Sequence, residues 1–239
     1  MKFLSENQMR DLKDFQLTCR QSIWGPVGLT IIFITIPATI KTFVDDSTIF
    51  HISIAASIFM AILAWRIAKA AVFPSNWVLK ADEQGLYLKI RSYLNFQLDP
   101  DDKVIVHIPF DEIHGAEEIT EHHQTKSFFG LTKTEGRVHL NLILKTNAAE
   151  KIIPMIHQEV YRQPPEHNKL VERVNHLHVQ IQVPAPDMVQ IPWADRNTRI
   201  NPDLKMVFNL LASHGIQVNV EEDSKNEFPP GDDLYSESA

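Results

Sequence analysis

The stretch "VIVHIPFDEIHGAEEITEHHQTKSFFGL", residues 104–131, decides how the chain is read. It carries adjacent carboxylates, Asp111 and Glu112, and the histidines His107, His114, His122 and His123, before an apolar Phe-Phe-Gly-Leu. Two chemical readings, a metal centre and an acid–base pair, compete with a third in which the stretch is a pair of strands. Neighbouring side chains of an extended chain point to opposite faces, so His122 and His123 do not converge on one ion. Asp111 and Glu112 face apart for the same reason and make a poor proton-transfer pair. His176 and His178 do share a face, yet a third ligand requires His139 or His114 from a neighbouring strand. Alternation in "KVIVHIPF" (103–110) and "EIHGAEEITEHH" (112–123) predicts two strands. Pro109 closes the first of them, because proline cannot donate to a ladder. The stretch is frame, and it assigns no metal, cofactor or catalytic residue.

The period of two extends outward from there. "NWVLKADEQGLYLKIRSYL" predicts a hairpin turning at Asp82–Gly85, with Trp77 and Leu79 on one strand and Leu86, Leu88 and Ile90 on the next. In "RVHLNLILKT" (137–146), Val138, Leu140, Leu142 and Leu144 face one way, and His139, Asn141 and Ile143 the other. "LHVQIQVP" (177–184) and "DMVQIPW" (187–193) continue the series. "INPDLKMVFNLLASHG" then predicts a helix with Asn201 as N-cap, Pro202 at its first position, Asp203 in the first turn and Gly215 as its stop. Leu204, Val207, Phe208 and Leu211 form its apolar face.

Upstream the pattern differs. "IWGPVGLTIIFITIPATI" (23–40) and "IFHISIAASIFMAILAW" (49–65) hold no Asp, Glu, Lys or Arg. Each approaches the roughly 17–25 residues that cross a bilayer core, so a transmembrane hairpin over 23–73 is expected. Lys2, Arg10, Lys13 and Arg20 before it and Arg66, Lys69 and Lys80 at and beyond the exit of its second span place both termini in the cytoplasm. Trp24 and Trp65 then share the inner interface. Ser53, Ser57, Ala61, Ala64 and Ala68 fall on one helical stripe, a candidate for packing against the first helix or another protein. Ahead of the hairpin, residues 1–22 place Leu4, Met9, Leu12, Phe15 and Cys19 on one face of an expected amphipathic helix.

Charge and composition narrow the function classes. The net charge is -7, and the segment from Glu221 holds seven acidic residues against one lysine. The remainder is nearly neutral, which gives a nucleic-acid partner no electrostatic support. Cys19 is the single cysteine, so neither an intrachain disulfide nor a cysteine-based zinc site is possible. No Gly-rich phosphate loop, His-Glu-x-x-His or nucleophile-elbow pattern occurs. Residues 221–239 lack periodicity and predict a disordered tail; Phe228, Leu234 and Tyr235 would be the anchors of a docking segment there.

The order of strands and helix, with Ile108-Pro109, an Ile113-centred strand and Phe129-Gly130-Leu131 before the next strand, resembles the bacterial pleckstrin-homology-like family of membrane proteins. The likeness covers roughly 75–146 and the hairpin, and residues 147–176 depart from it as an insertion of two helices broken at Pro164-Pro165. The resemblance implies an α+β membrane protein: a two-helix transmembrane hairpin, then a cytoplasmic antiparallel β-barrel over 75–220 capped by a C-terminal helix. Relatives of the fold that bind inositol phosphates imply Lys80, Lys89 and Arg91 as lipid-headgroup contacts, although Asp82 and Glu83 in the intervening turn oppose a phosphate.

The expected function is non-enzymatic: a membrane-anchored interaction module, an accessory or assembly subunit of a larger complex in a bacterial inner membrane. Its partners would be other membrane protein subunits and membrane lipids, with no cofactor. The alternative is an anionic-lipid-headgroup-binding module using Lys80, Lys89 and Arg91.

Overall fold

The computed structural model describes residues 1–12, 14–43, 47–92, 95, 98–126, 132–162, 181–194 and 199–220 of the chain. Alternating apolar residues build a first sheet of β1 (Lys2–Leu4), β2 (Leu17–Gln21), β3 (Leu79–Ala81), β4 (Gly85–Lys89), β5 (Ile105–Pro109) and β10 (Ile200–Asn201). Its order is β1-β5-β4-β3-β2-β10, antiparallel throughout. A second sheet holds β6 (Ile113–Lys126), β7 (Thr132–Leu144), β8 (Gln182–Ala185), β9 (Met188–Ala194) and β11 (Gln217–Asn219). Its order is β11-β6-β7-β9-β8, with β11 parallel to β6 and the rest antiparallel. The stretch from 104 thus becomes β5, one tight turn over Phe110–Glu112, and β6.

One core lies between the sheets and two helices. Leu79, Leu86, Leu88, Ile108, Leu140, Leu142 and Ile191 are fully buried in it. Helix α4 (Thr146–Val160) contributes Ala148, Ala149, Ile152 and Ile156, and α5 (Leu204–Ser213) contributes Leu204, Val207, Phe208 and Leu211. Each large apolar side chain so buried is worth about 1.5–3 kcal/mol relative to exposure. Helix α5 starts later than its punctuation predicts: Asp203, not Asn201, occupies the N-cap position, without a side-chain cap. Gly215 stops it as expected, at φ 76°, in the left-handed region that suits glycine.

Residues 1–22 are not one helix. They form β1, a short α1 (Glu6–Arg10) with a Ser5–Gln8 capping box, and β2. The periodicity of Leu4, Met9, Leu12, Phe15 and Cys19 imitates a helix, but Asp14 at φ 75° turns the chain between α1 and β2. Met9 joins Trp77, Tyr87, Val104 and Ile105 in a second, smaller core on the outer face of the first sheet, with Leu4 and Phe15 against it.

The two apolar stretches form α2 (Trp24–Phe43) and α3 (Ser47–Val72), which pack on each other. Among the described residues, no helix is long and apolar enough to cross a membrane. That finding overturns the expected transmembrane hairpin and the membrane fold class. The multi-pass inner-membrane placement with cytoplasmic termini falls with them. Polar side chains punctuate the apolar runs and satisfy themselves locally. The Thr35 hydroxyl donates to the Ile32 carbonyl at 2.9 Å, Thr39 to Thr35 at 3.2 Å and Ser53 to Phe50 at 2.7 Å. The last turns of α3 belong to the folded body: Ala68, Ala70 and Ala71 are buried, and the Ala71 carbonyl accepts from Asn76 Nδ2. A count of uncharged residues measures a run's length, not what its ends pack against. The architecture is mixed α/β with two sheets, and the hairpin is an insertion between the paired strands β2 and β3, where Cys19 faces Leu79.

Candidate functional site

The three cations suggested as headgroup contacts are brought to one side of the first sheet and then engaged internally. Lys80 is half-buried, its Nζ 4.4 Å from the Phe15 ring centroid and 4.9 Å from that of Trp77. Burial, with Arg20 and Lys89 nearby, holds its ammonium below the usual lysine range. Lys89 is buried, donates to the Ser75 carbonyl at 2.7 Å and forms an ion pair with Glu6 of α1. Burial lowers its pKa, and the Glu6 carboxylate opposes that shift.

Arg91 is the hub of a larger network. Its Nε donates to Glu159 Oε1 at 3.0 Å, its Nη2 to Asp102 Oδ2 at 2.6 Å and its Nη1 to the Asp99 carbonyl at 3.1 Å. Arg162 reaches the same two carboxylates, at 2.7 Å to Asp102 and 3.3 Å to Glu159. Two guanidiniums thus face two carboxylates, a neutral cluster joining the end of α4 to the loop before β5. Burial pushes the Asp102 carboxyl up, and hydrogen bonds from Arg91 and Arg162 more than reverse it, holding it below its ordinary 3.8. Such a carboxylate is a weak base. The cluster borders a cavity of about 770 Å³ whose floor includes Ile90, Val104 and Met155.

A second polar group sits under α1. The Tyr87 hydroxyl donates to Asp82 Oδ2 at 2.7 Å, and Asp82 Oδ1 accepts from the backbone amides of Gln84 and Gly85. The His107 ring lies against that of Tyr87, tilted by 32° with centroids 4.5 Å apart. Burial and the Asp82 carboxylate push the tyrosine pKa up; burial lowers that of His107. Asp82 is raised by burial but lowered further by its hydrogen bonds. Each group therefore rests in one protonation state at neutral pH, and none is poised to exchange a proton. Burial likewise raises the Cys19 thiol to about 12, far from a reactive thiolate.

Of the histidines of the opening stretch, His123 has its side chain outside the described residues, and the others lie in different surroundings. His107 is buried, whereas His114 and His122 are exposed. Among the described residues no group of three metal-ligating side chains occurs. Asp111 is exposed, and Glu112 pairs with the N-terminal amine at 3.3 Å. His176 and His178, the expected Phe129-Gly130-Leu131 turn, the Pro164-Pro165 break with the whole of the expected second inserted helix, and the acidic tail lie outside the described residues.

On the hairpin, Ser57, Ala64 and Ala68 are buried, and Ser53 and Ala61 half-buried. The stripe is thus the inward face of α3. The other sides carry Ile49, Ile52, Ile58, Phe59, Ile62 and Trp65, joined on α2 by Trp24, Ile31, Ile32 and Ile34, all exposed. Sequence reasoning singled out Arg91 but not its partners Glu159, Asp102 and Arg162. The available signal was the Glu159–Arg162 spacing of three on one helix face. Compared with family models, curated proteins and solved structures, the chain matches none.

Proposed function

We propose that the chain is a non-enzymatic interaction module that docks through the α2–α3 hairpin onto an apolar surface of another protein, as an accessory or assembly subunit of a larger complex. The single observation that supports this is the exposure of large apolar side chains along both helices: Trp24 is 75% exposed, Ile34 64%, Ile52 64% and Phe59 62%. Large apolar side chains exposed in this number on two adjacent helices mark an interaction site on folded proteins. A helix that is apolar on most of its sides is ordinarily enclosed by other protein or by lipid. The internal pairing of Lys89 and Arg91 leaves the headgroup-binding alternative without two of its three cations.

The test substitutes Ile31, Ile34, Ile52 and Phe59 with serine in the full chain and places photocrosslinkers at positions 58 and 62. The expected result is one protein captured from native extracts in equimolar amount, with crosslinks mapping to the hairpin. Capture is lost in the quadruple variant, whose near-ultraviolet dichroism stays that of the parent. Capture that survives the four substitutions, or crosslinks confined to the sheets, would sink the reading.

A further inference from the structure

Where the hairpin leaves the first sheet, a cavity of about 550 Å³ opens, within the roughly 300–1,000 Å³ of small-molecule sites. Strand register assembles its polar end. Partners across an antiparallel pair share a face: Thr18 of β2 stands opposite Lys80 of β3, and Arg20 opposite Asn201 of β10. Residues two apart on a strand share a face as well. Thr18, Arg20, Lys80 and Asn201 therefore lie together on the outer side of the sheet, while Cys19 and Leu79 join the core. Thr18, Arg20 and Asn201 line the cavity, and none of its lining residues is acidic. Among the described residues, no carboxylate forms an ion pair with Arg20 or Lys80. The Glu6 carboxylate, which acts on Lys80, is already paired with Lys89. The depressed pKa of Lys80, due first to burial and then to the charges of Arg20 and Lys89, reports the same local excess of positive charge.

The other end of the cavity is apolar. Trp24 opens α2, Val72 closes α3 and Phe73 follows it, and all three are exposed lining residues. Backbone and amide contacts fix this frame. Asn76 Nδ2 donates to the carbonyls of Gln21, at 3.1 Å, and Ala71, which ties the end of α3 to β2. The Ser22 amide donates to the Arg199 carbonyl at 2.7 Å, which ties the chain before α2 to the chain before β10. An arginine fork matches the oxygens of a carboxylate or a phosphate, and an apolar wall beside it accepts a chain attached to them. We infer that this cavity binds a single-chain anionic amphiphile, its oxyanion head on Arg20 with Thr18 and Asn201 and its chain along Trp24, Val72 and Phe73. The inference does not rest on the docking role proposed for the outward faces of the hairpin, because the ligand sits at its root and needs no partner protein.

The experiment titrates the purified full chain with laurate and with dodecyl phosphate, each below its aggregation concentration. Binding is read by calorimetry and by the fluorescence of Trp24 against a Trp24→Phe control, and the two probes separate a fatty carboxylate from a lipid phosphate as the source of the head. Saturable one-to-one binding of at least one anion is expected, with 1-monolauroylglycerol and dodecylammonium each at least tenfold weaker. Arg20→Gln, at an exposed position that does not threaten folding, weakens the anion about tenfold and leaves monolauroylglycerol unchanged. The variant with Ile31, Ile34, Ile52 and Phe59 replaced by serine binds the anion as the parent does, which sets the site apart from the outer surface of the hairpin. Absence of saturable binding of either anion, equal binding of the neutral and anionic probes, indifference of the anion to Arg20→Gln, or its loss in the quadruple serine variant would each overturn the assignment.

Discussion

The N-terminal segment and the helical hairpin are both apolar attachments to the first sheet, and they differ in how they are finished. Residues 1–16 lay Met9 and Phe15 over Trp77, Tyr87 and Ile105. The rim of that contact is then closed by polar pairs. Glu6 meets Lys89, Asn7 Nδ2 donates to Asp101 Oδ1 at 2.6 Å, the Glu6 amide donates to the Pro100 carbonyl at 3.1 Å, and the terminal amine reaches Glu112. The hairpin has a finished inner face at Ser57, Ala64 and Ala68 and a row of exposed isoleucines and aromatics outside. Apolar residues bounded by satisfied polar partners mark a contact already made. Large apolar residues left exposed along two helices mark one still to be made.

The largest loss is expected where a finished polar contact is most deeply buried, at the Arg91–Glu159 pair beside the N-terminal segment. Arg91→Met leaves the buried Glu159 carboxylate without its Nε donor, and stripping one member from a buried pair costs about 3–5 kcal/mol; urea unfolding should show a loss of that size. Met9→Ala should cost about 2–5 kcal/mol, the range for a buried methionine truncation. It should also raise hydrogen exchange selectively over residues 1–16 and 104–109, and a uniform rise across both sheets would refute the separateness of the small core.

Acid gives a smaller effect with a defined direction. The Asp102 carboxyl titrates below its ordinary 3.8 in the folded chain. Its contribution is therefore complete above the unfolded value and is lost as pH falls through the folded one. The melting temperature should drop over that acid window, and Asp102→Asn should flatten the drop. Smallest of all, Ile52→Ser with Ile62→Ser should change the unfolding free energy by no more than about 0.5 kcal/mol, as exposed positions do. A large loss there would show that the outer face of the hairpin is already covered within the chain.

Strand alternation was legible because membership of the main core follows the period of two: Leu140, Leu142 and Leu144 sit in it as their spacing predicts, although the other face of β4, β5 and β7 is covered as well. The apolar face of α5 was legible on the same grounds, while its start was shifted by two residues. The N-terminal segment was misread because its apolar spacing fits a helix and nothing local declares that Cys19 belongs to a strand. Arg91 could be seen as a cation, but its partner Glu159 stands 68 residues away, and sequence spacing carries no information about such pairs. In the hairpin the sequence displayed length and lack of charge. It did not display the anchoring of the end of α3 to Asn76 and Gln21, which is a tertiary contact.

The place where the hairpin enters the sheet also bears on how the chain folds. Because Cys19 faces Leu79, β2 and β3 would be a simple β-hairpin if α2 and α3 were exchanged for a four-residue turn. Loop-closure entropy grows only with the logarithm of length, so the longer connection adds about 2–2.5 kcal/mol. Prior association of α2 with α3 brings its two ends together and reduces even that. The arm is thus topologically detachable: it can lengthen, shorten or change its outer residues while the register of the sheet below it stays the same.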